Sequence, residues 1–178
     1  MTLTGVVVIA GVMASGKSTV AQALAERLPR AAHVRGDVFR RMIVSGRQDF
    51  TPDAAEEATA QLHLRYRLSA ATADAYAGAG FTAIVQDVLL GPELTSYVGR
   101  IRTRPLHVVV LAPSPETVAA RDAARPKTGY GPAWTVADLD AELRLRTEPL
   151  GLWLDTSELT VEQTVEAILT GTERTRVA

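Results

Sequence analysis

Val6-Val-Val-Ile-Ala10-Gly11-Val-Met-Ala-Ser-Gly16-Lys17-Ser18-Thr19 is the stretch on which the fold turns. The run from Val6 to Ala10, rich in β-branched residues and closed by a glycine, reads as a strand buried on both faces. Beyond it, Lys17 to Leu28 carries Val20, Leu24 and Leu28 at helical spacing and stops at Pro29, so the order is strand, turn, helix. The turn from Gly11 to Ser18 has the spacing G-x-x-x-x-G-K-[ST]. Glycines there let successive backbone N–H groups point inward at the positive end of a helix, a nest for phosphate. Lys17 is then placed to reach the outer phosphates, and the Ser18 hydroxyl to ligate Mg²⁺. A glycine-rich turn that merely joins strand to helix is the plainer alternative, and the flanking strand and helix argue against it.

The same alternation continues along the chain. Ala32-His-Val-Arg35 is a weak strand, Phe81–Val85 and Leu106–Leu111 are strong ones, and Leu152–Leu154 is a short last one. The intervening helices carry start signals. Thr51-Pro52-Asp53 and Ser114-Pro115-Glu116 each set a hydroxyl cap before a proline, and Thr160 with Gln163 fits a capping box. Leu94, Tyr97, Val98 and Ile101 share one helical face, and one long helix is expected from Asp53 to about Tyr76. Strands separated by helices in this way predict a three-layer α/β/α domain on a five-stranded parallel sheet. A chain of 178 residues, 47% of them apolar, suffices for a single domain over residues 1–178 that buries its own core.

Composition narrows the function classes. With 19 basic and 20 acidic side chains the net charge is -1, which argues against a dedicated nucleic-acid or membrane-surface binder. No apolar run reaches the length of roughly 18 residues that a spanning helix needs, and the start lacks the basic flank of a signal peptide, so a cytoplasmic protein is expected. The absence of cysteine removes disulfides, thiolate metal sites and cysteine nucleophiles. His33, His63 and His107 lack ligand spacing. Among the basic residues only Lys17 and Lys127 are lysines.

The Gly11–Ser18 turn is the P-loop (Walker A) signature, and the chain resembles the small P-loop kinases. The resemblance implies a 2-3-1-4-5 strand order, a swinging lid, and ATP with Mg²⁺ as phosphoryl donor. Gly11, Ala14, Ser15, Gly16, Lys17, Ser18 and Thr19 would hold the nucleotide.

Phosphoryl transfer then needs a group that takes the acceptor's proton and one that organises the metal. Asp37 follows the second strand in Val34-Arg-Gly-Asp37-Val-Phe-Arg40-Arg41, at a strand's carboxyl end, where open α/β sheets bind ligands. In kinases of this kind a similar aspartate accepts the substrate hydroxyl's proton; a helix N-cap is the structural alternative and is compatible with that role. Asp87 ends the most hydrophobic strand and resembles a Walker B carboxylate holding Mg²⁺ or its waters, against a structural hydrogen-bonding role. Gln86 beside it is a weaker candidate for a substrate contact. The stretch Ile84-Val-Gln-Asp87-Val-Leu-Leu90-Gly91 is also similar to the corresponding strand of the chloramphenicol phosphotransferase family, with Asp37 matching that family's catalytic aspartate.

Arg121 and Arg125 lie one helical turn apart. As lid arginines of the kinases this chain resembles they would offset charge on the transferring phosphoryl; the plainer alternative is a solvated helix face. Pro126-Lys-Thr-Gly-Tyr-Gly-Pro132 follows, then Trp134 and a helix through Asp138 to about Glu148, so a mobile lid is expected over approximately 121–148. Lys127 is either a phosphate contact or an exposed lid charge, and Trp134 is expected to pack the lid's base. Arg40 and Arg41, with Arg35, cluster about Asp37 as candidate acceptor contacts and raise an anionic or nucleotide acceptor.

The expected function is an ATP-dependent phosphotransferase acting on a hydroxyl of a small molecule, an antibiotic or a metabolite. The alternatives are a nucleotide or polynucleotide 5′-hydroxyl kinase and a non-catalytic ATP-binding switch. The acceptor and the oligomeric state are not encoded in any motif.

Overall fold

The computed structural model describes residues 3–126 and 129–178. Its first half runs β1 (Val6–Gly11), α1 (Lys17–Arg27), β2 (Ala31–Arg35), α2 (Gly36–Arg41), α3 (Glu56–Gly78) and β3 (Thr82–Gln86). There follow α4 (Pro92–Val98), β4 (Leu106–Leu111), α5 (Pro115–Ala123), α6 (Val136–Ala141), a π-helical stretch Glu142–Arg146, β5 (Leu152–Leu154), α7 (Val161–Thr170) and α8 (Thr172–Thr175). The five strands pair in parallel in the order β2-β3-β1-β4-β5, as the resemblance to P-loop kinases implies.

β1, β3 and β4 are buried at every position because both of their faces are covered. Val6, Val8 and Ala10 join a core with Tyr66, Ala70 and Ala73 of α3, Leu94 and Tyr97 of α4, Val118 of α5 and Leu139 of α6. Val7 and Ile9, on the opposite face, pack against Val20, Ala21 and Leu24 of α1 and Val165 and Ile168 of α7. Alternation with a period of two thus assigns each residue of β1 to one helical layer. Each fully buried Val, Leu or Ile contributes about 1.5–3 kcal/mol, so a charge at Val8 would break both the central strand and its layer.

The capping signals at Ser114 and Thr160 are realised. Ser114 Oγ accepts from the Thr117 N–H at 3.2 Å, and Thr160 and Gln163 exchange both capping-box bonds. The start of α3 differs from expectation. Thr51 closes a tight turn with Ala54 N–H at 3.0 Å, Ala55 is extended, and the helix begins only at Glu56. The helix expected to run to Glu148 loses its α-helical hydrogen bonding at Ala141. There the Thr147 hydroxyl bonds the Glu142 carbonyl at 3.0 Å and receives the Gly91 N–H at 2.7 Å, which favours the wider turn.

Strand register positions the site. Arg35 aligns with Gln86, and Gln86 with Ile9. Asp37, Asp87 and Gly11 therefore leave the sheet at one carboxyl edge, the edge at which open α/β sheets bind ligands.

Candidate active site

The phosphate loop is built by backbone conformation. Gly16 adopts φ +94°, a value that side chains rarely tolerate, and a Cβ placed there would meet only Arg121 Nη1, at 4.0 Å. The loop therefore opens toward solvent. Ala14 also has positive φ, 60°, a strained state for a residue with a side chain and one typical of ligand-binding turns. Gly11 ends β1, and Ser15 is buried beneath the loop, its N–H bonded to the Val12 carbonyl at 3.3 Å. The first intrahelical bond of α1 runs from Val20 N–H to the Gly16 carbonyl, and the first turn carries no acidic residue. The N–H groups of Lys17, Ser18 and Thr19 are thus left for an anion at the positive helix end. Thr19 itself is exposed and Ser18 half-buried.

Lys17 folds back across this loop. Its ammonium donates to the Val12 carbonyl at 2.5 Å and to Ser15 Oγ at 3.5 Å, and the residue is only 7% exposed. Burial lowers its pKa to about 7; Asp87 opposes the shift, while Arg125 and Arg65 reinforce it. An ammonium this poorly solvated gains strongly from phosphate oxygens.

Asp87 is wholly buried and held by a residue that no sequence motif marked. Arg65 of α3 forks onto it, Nε to Oδ2 at 2.7 Å and Nη2 to Oδ1, and the Val88 N–H adds a bond to Oδ1 at 2.7 Å. Burial pushes the Asp87 carboxyl above the ordinary carboxylate range, and the Arg65 guanidinium pulls the other way. The carboxylate also lies against α2: a Cβ at Gly36 would fall 1.9 Å from Asp87 Oδ2, so only glycine fits there.

Asp37 lies in the first turn of α2 without a side-chain capping bond, so the N-cap reading does not hold; Arg35 occupies the cap position. Arg41 Nη2 approaches Asp37 Oδ2 at 3.0 Å and Arg35 Nε lies 3.7 Å from Oδ1. Oδ1 is enclosed yet accepts no hydrogen bond from the described residues. Arg40 turns away from this group to pair with Asp49. Gln86 is buried at the end of β3.

The arginines expected in the lid diverge. Arg121 donates to the Thr156 carbonyl at 2.7 Å and to the Ser15 carbonyl at 3.4 Å, beside the phosphate loop. Arg125 lies past the end of α5 and pairs with Asp122, which also accepts the Gly129 N–H at 2.9 Å. The Tyr130 hydroxyl donates to the Met13 carbonyl at 2.8 Å, and Trp134 stacks on Phe50, centroids 6.1 Å apart, with Nε1 3.4 Å from the Phe50 carbonyl. The expected lid therefore rests on the phosphate loop at one point and on the α2–α3 connection at another. Lys127 lies outside the described residues.

The residues present suit Mg²⁺ carried in with nucleotide. Among the described residues no group of three His, Cys, Asp or Glu side chains forms a metal cage. A hydroxyl at the loop and a nearby carboxylate are what Mg²⁺ takes when phosphates supply its other ligands. No helix among the described residues is long and apolar enough to cross a membrane.

No curated protein sequence matches the chain. Similar folds occur among solved structures. A sugar kinase from Janibacter sp. HTCC2649 is 22% identical, with TM-score 0.67 over 97% of this chain and 96% of the other. The APS kinase CysC of Mycobacterium tuberculosis, in complex with AMPPNP and APS, is 18% identical, with TM-score 0.70 over 97% and 99%. The Pnkp1/Rnl/Hen1 RNA repair complex is 16% identical, with TM-score 0.60 over 80% of this chain and 45% of that chain. At such identities the likeness concerns fold alone. A family model described as an AAA domain matches residues 6–149. That match spans well over half of the sequence, so the chain belongs to the AAA domain family, and its sheet is that of the small P-loop kinases.

Proposed function

We propose that the protein is an ATP-dependent phosphotransferase that moves the γ-phosphoryl group to a hydroxyl of a small molecule, with Asp37 as the base. The observation that carries this reading is the placement of Asp37. Its carboxylate, 44% exposed beside Arg35 and Arg41, stands at the same sheet edge as the phosphate loop, where a switch that only binds nucleotide needs no carboxylate. The fold likeness to sugar and APS kinases supports it.

The N–H groups at the start of α1 and the Lys17 ammonium bind the outer phosphates, and Arg121 flanks them from α5. The Asp37 carboxylate accepts the acceptor's hydroxyl proton as the acceptor's oxygen bonds to the γ-phosphorus. The bond from the γ-phosphorus to the β–γ bridging oxygen breaks, and ADP leaves with the electron pair. Ser18 and Asp87 would hold Mg²⁺ or its waters, and the ion would supply charge neutralisation to the phosphates. Tyr130 rests on the phosphate loop at Met13, and Trp134 on Phe50 of the α2–α3 connection.

Arg35 and Arg41 flank Asp37 with two positive charges against one, which favours as second reading an acceptor that carries its own anion, including a nucleotide or a polynucleotide 5′ end. One experiment separates the readings: incubation of the protein with ATP and Mg²⁺ against antibiotics, sugar acids, nucleosides, nucleotides and 5′-hydroxyl oligonucleotides, with mass detection. An acceptor heavier by one phosphoryl group is expected. Tight ATP binding without product from any acceptor would instead assign a switch.

A further inference from the structure

We infer that Arg65 is a positioning residue of the phosphate site: it fixes the orientation of Asp87 and thereby ties helix α3 to the metal side of the nucleotide. The inference rests on the phosphotransferase reading, but its geometry is independent of the acceptor. The side chain of Asp87 is 0% exposed and that of Arg65 16%. A buried carboxylate needs a cation and a full set of donors, and Arg65 provides both in one planar fork.

The donors are unequally shared. Oδ1 receives Arg65 Nη2 and the Val88 N–H, whereas Oδ2 receives only Arg65 Nε. Oδ2 is thus the oxygen with acceptor capacity to spare, and it is the one held against the backbone of Gly36, the residue before Asp37. α3 grips the same loop a second time through the next residue, since the Tyr66 hydroxyl donates to the Val88 carbonyl at 3.1 Å. Consecutive residues of one helix therefore hold consecutive residues of the loop beyond β3. A lysine at position 65 would keep the charge but replace the planar fork by a compact ammonium, losing the paired contact that fixes both oxygens and leaving the Val88 N–H to hold Oδ1.

The test is calorimetric titration of AMPPNP, with and without Mg²⁺, into the wild type, Arg65→Lys, Asp87→Asn and the double variant Arg65→Met/Asp87→Asn, which removes both buried charges and so tolerates a failure of Arg65→Met alone to fold. The wild type is expected to bind the analogue more tightly with Mg²⁺. Arg65→Lys and Asp87→Asn should each lose about fivefold or more of the gain from Mg²⁺, with the double variant losing no more than either, since the residues act as a unit. Arg65→Lys retaining the full gain would overturn the inference while leaving the phosphotransferase reading in place. A gain larger than in the wild type would also overturn it, by showing that Arg65 competes with the metal for Asp87. Losses that multiply in the double variant would do so too. A wild type that binds no nucleotide would overturn the underlying reading, and the inference with it.

Discussion

Replacing Lys17 by methionine should stabilise the protein while disabling it, and the size of the effect should depend on pH in a defined direction. The folded protein depresses the Lys17 pKa from 10.5 to about 7 by burial, so the unfolded chain binds the extra proton between those values. Stability therefore rises with pH through that window, and the penalty is fully present below pH 7. By linkage it amounts to about 5 kcal/mol at pH 6 and about 2 kcal/mol at pH 9. Methionine removes the ammonium and keeps most of the apolar stem. Urea unfolding of both proteins at pH 6, 7.5 and 9 isolates this group, because other titrations largely cancel in the difference. The advantage of Lys17→Met should shrink by about 2–3 kcal/mol from pH 6 to pH 9. A difference that stays constant over this range would refute the desolvated ammonium, and with it the reason given for the affinity of Lys17 for phosphate.

Asp37→Asn should bind ATP within about twofold of the wild type and lower turnover by about 10²–10⁴, as removal of a general base does; retained turnover in a single-acceptor assay would reassign the base. Gly36→Ala drives a methyl into Asp87 Oδ2, 1.9 Å from the Cβ position, and should cost about 1–3 kcal/mol in urea unfolding while weakening the Mg²⁺ dependence of nucleotide binding. Ser114→Ala removes the cap of α5 and should cost about 1 kcal/mol, read as a lower denaturation midpoint at unchanged slope.

What the sequence by itself determined was whatever a few consecutive residues decide. The phosphate loop was legible because its glycines, Lys17 and Ser18 are contiguous and their conformation is set locally between a strand and a helix. The buried strands were legible from β-branched runs, and the caps at Ser114 and Thr160 from side chains that bond their own third neighbour. Strand order was not, because crossovers place neighbours in the sheet without a local signal; it came from resemblance. Local rules also fell short at Thr51, where a turn took the residues offered as a helix start, and at Asp37, which entered the first helical turn instead of capping it.

Only the tertiary structure decided the partners of the charged groups. Arg65 meets Asp87 across 22 residues and Tyr130 meets Met13 across 117, separations at which the chain carries no periodic pattern to read. Arg40 and Arg41 are neighbours in sequence, yet one pairs with Asp49 and the other with Asp37, because adjacent helical residues point about 100° apart. Backbone conformation is chosen over a few residues and so is written in them. Which charge meets which depends on the packing of α2 and α3 against the sheet edge, and that exists only once the chain has folded.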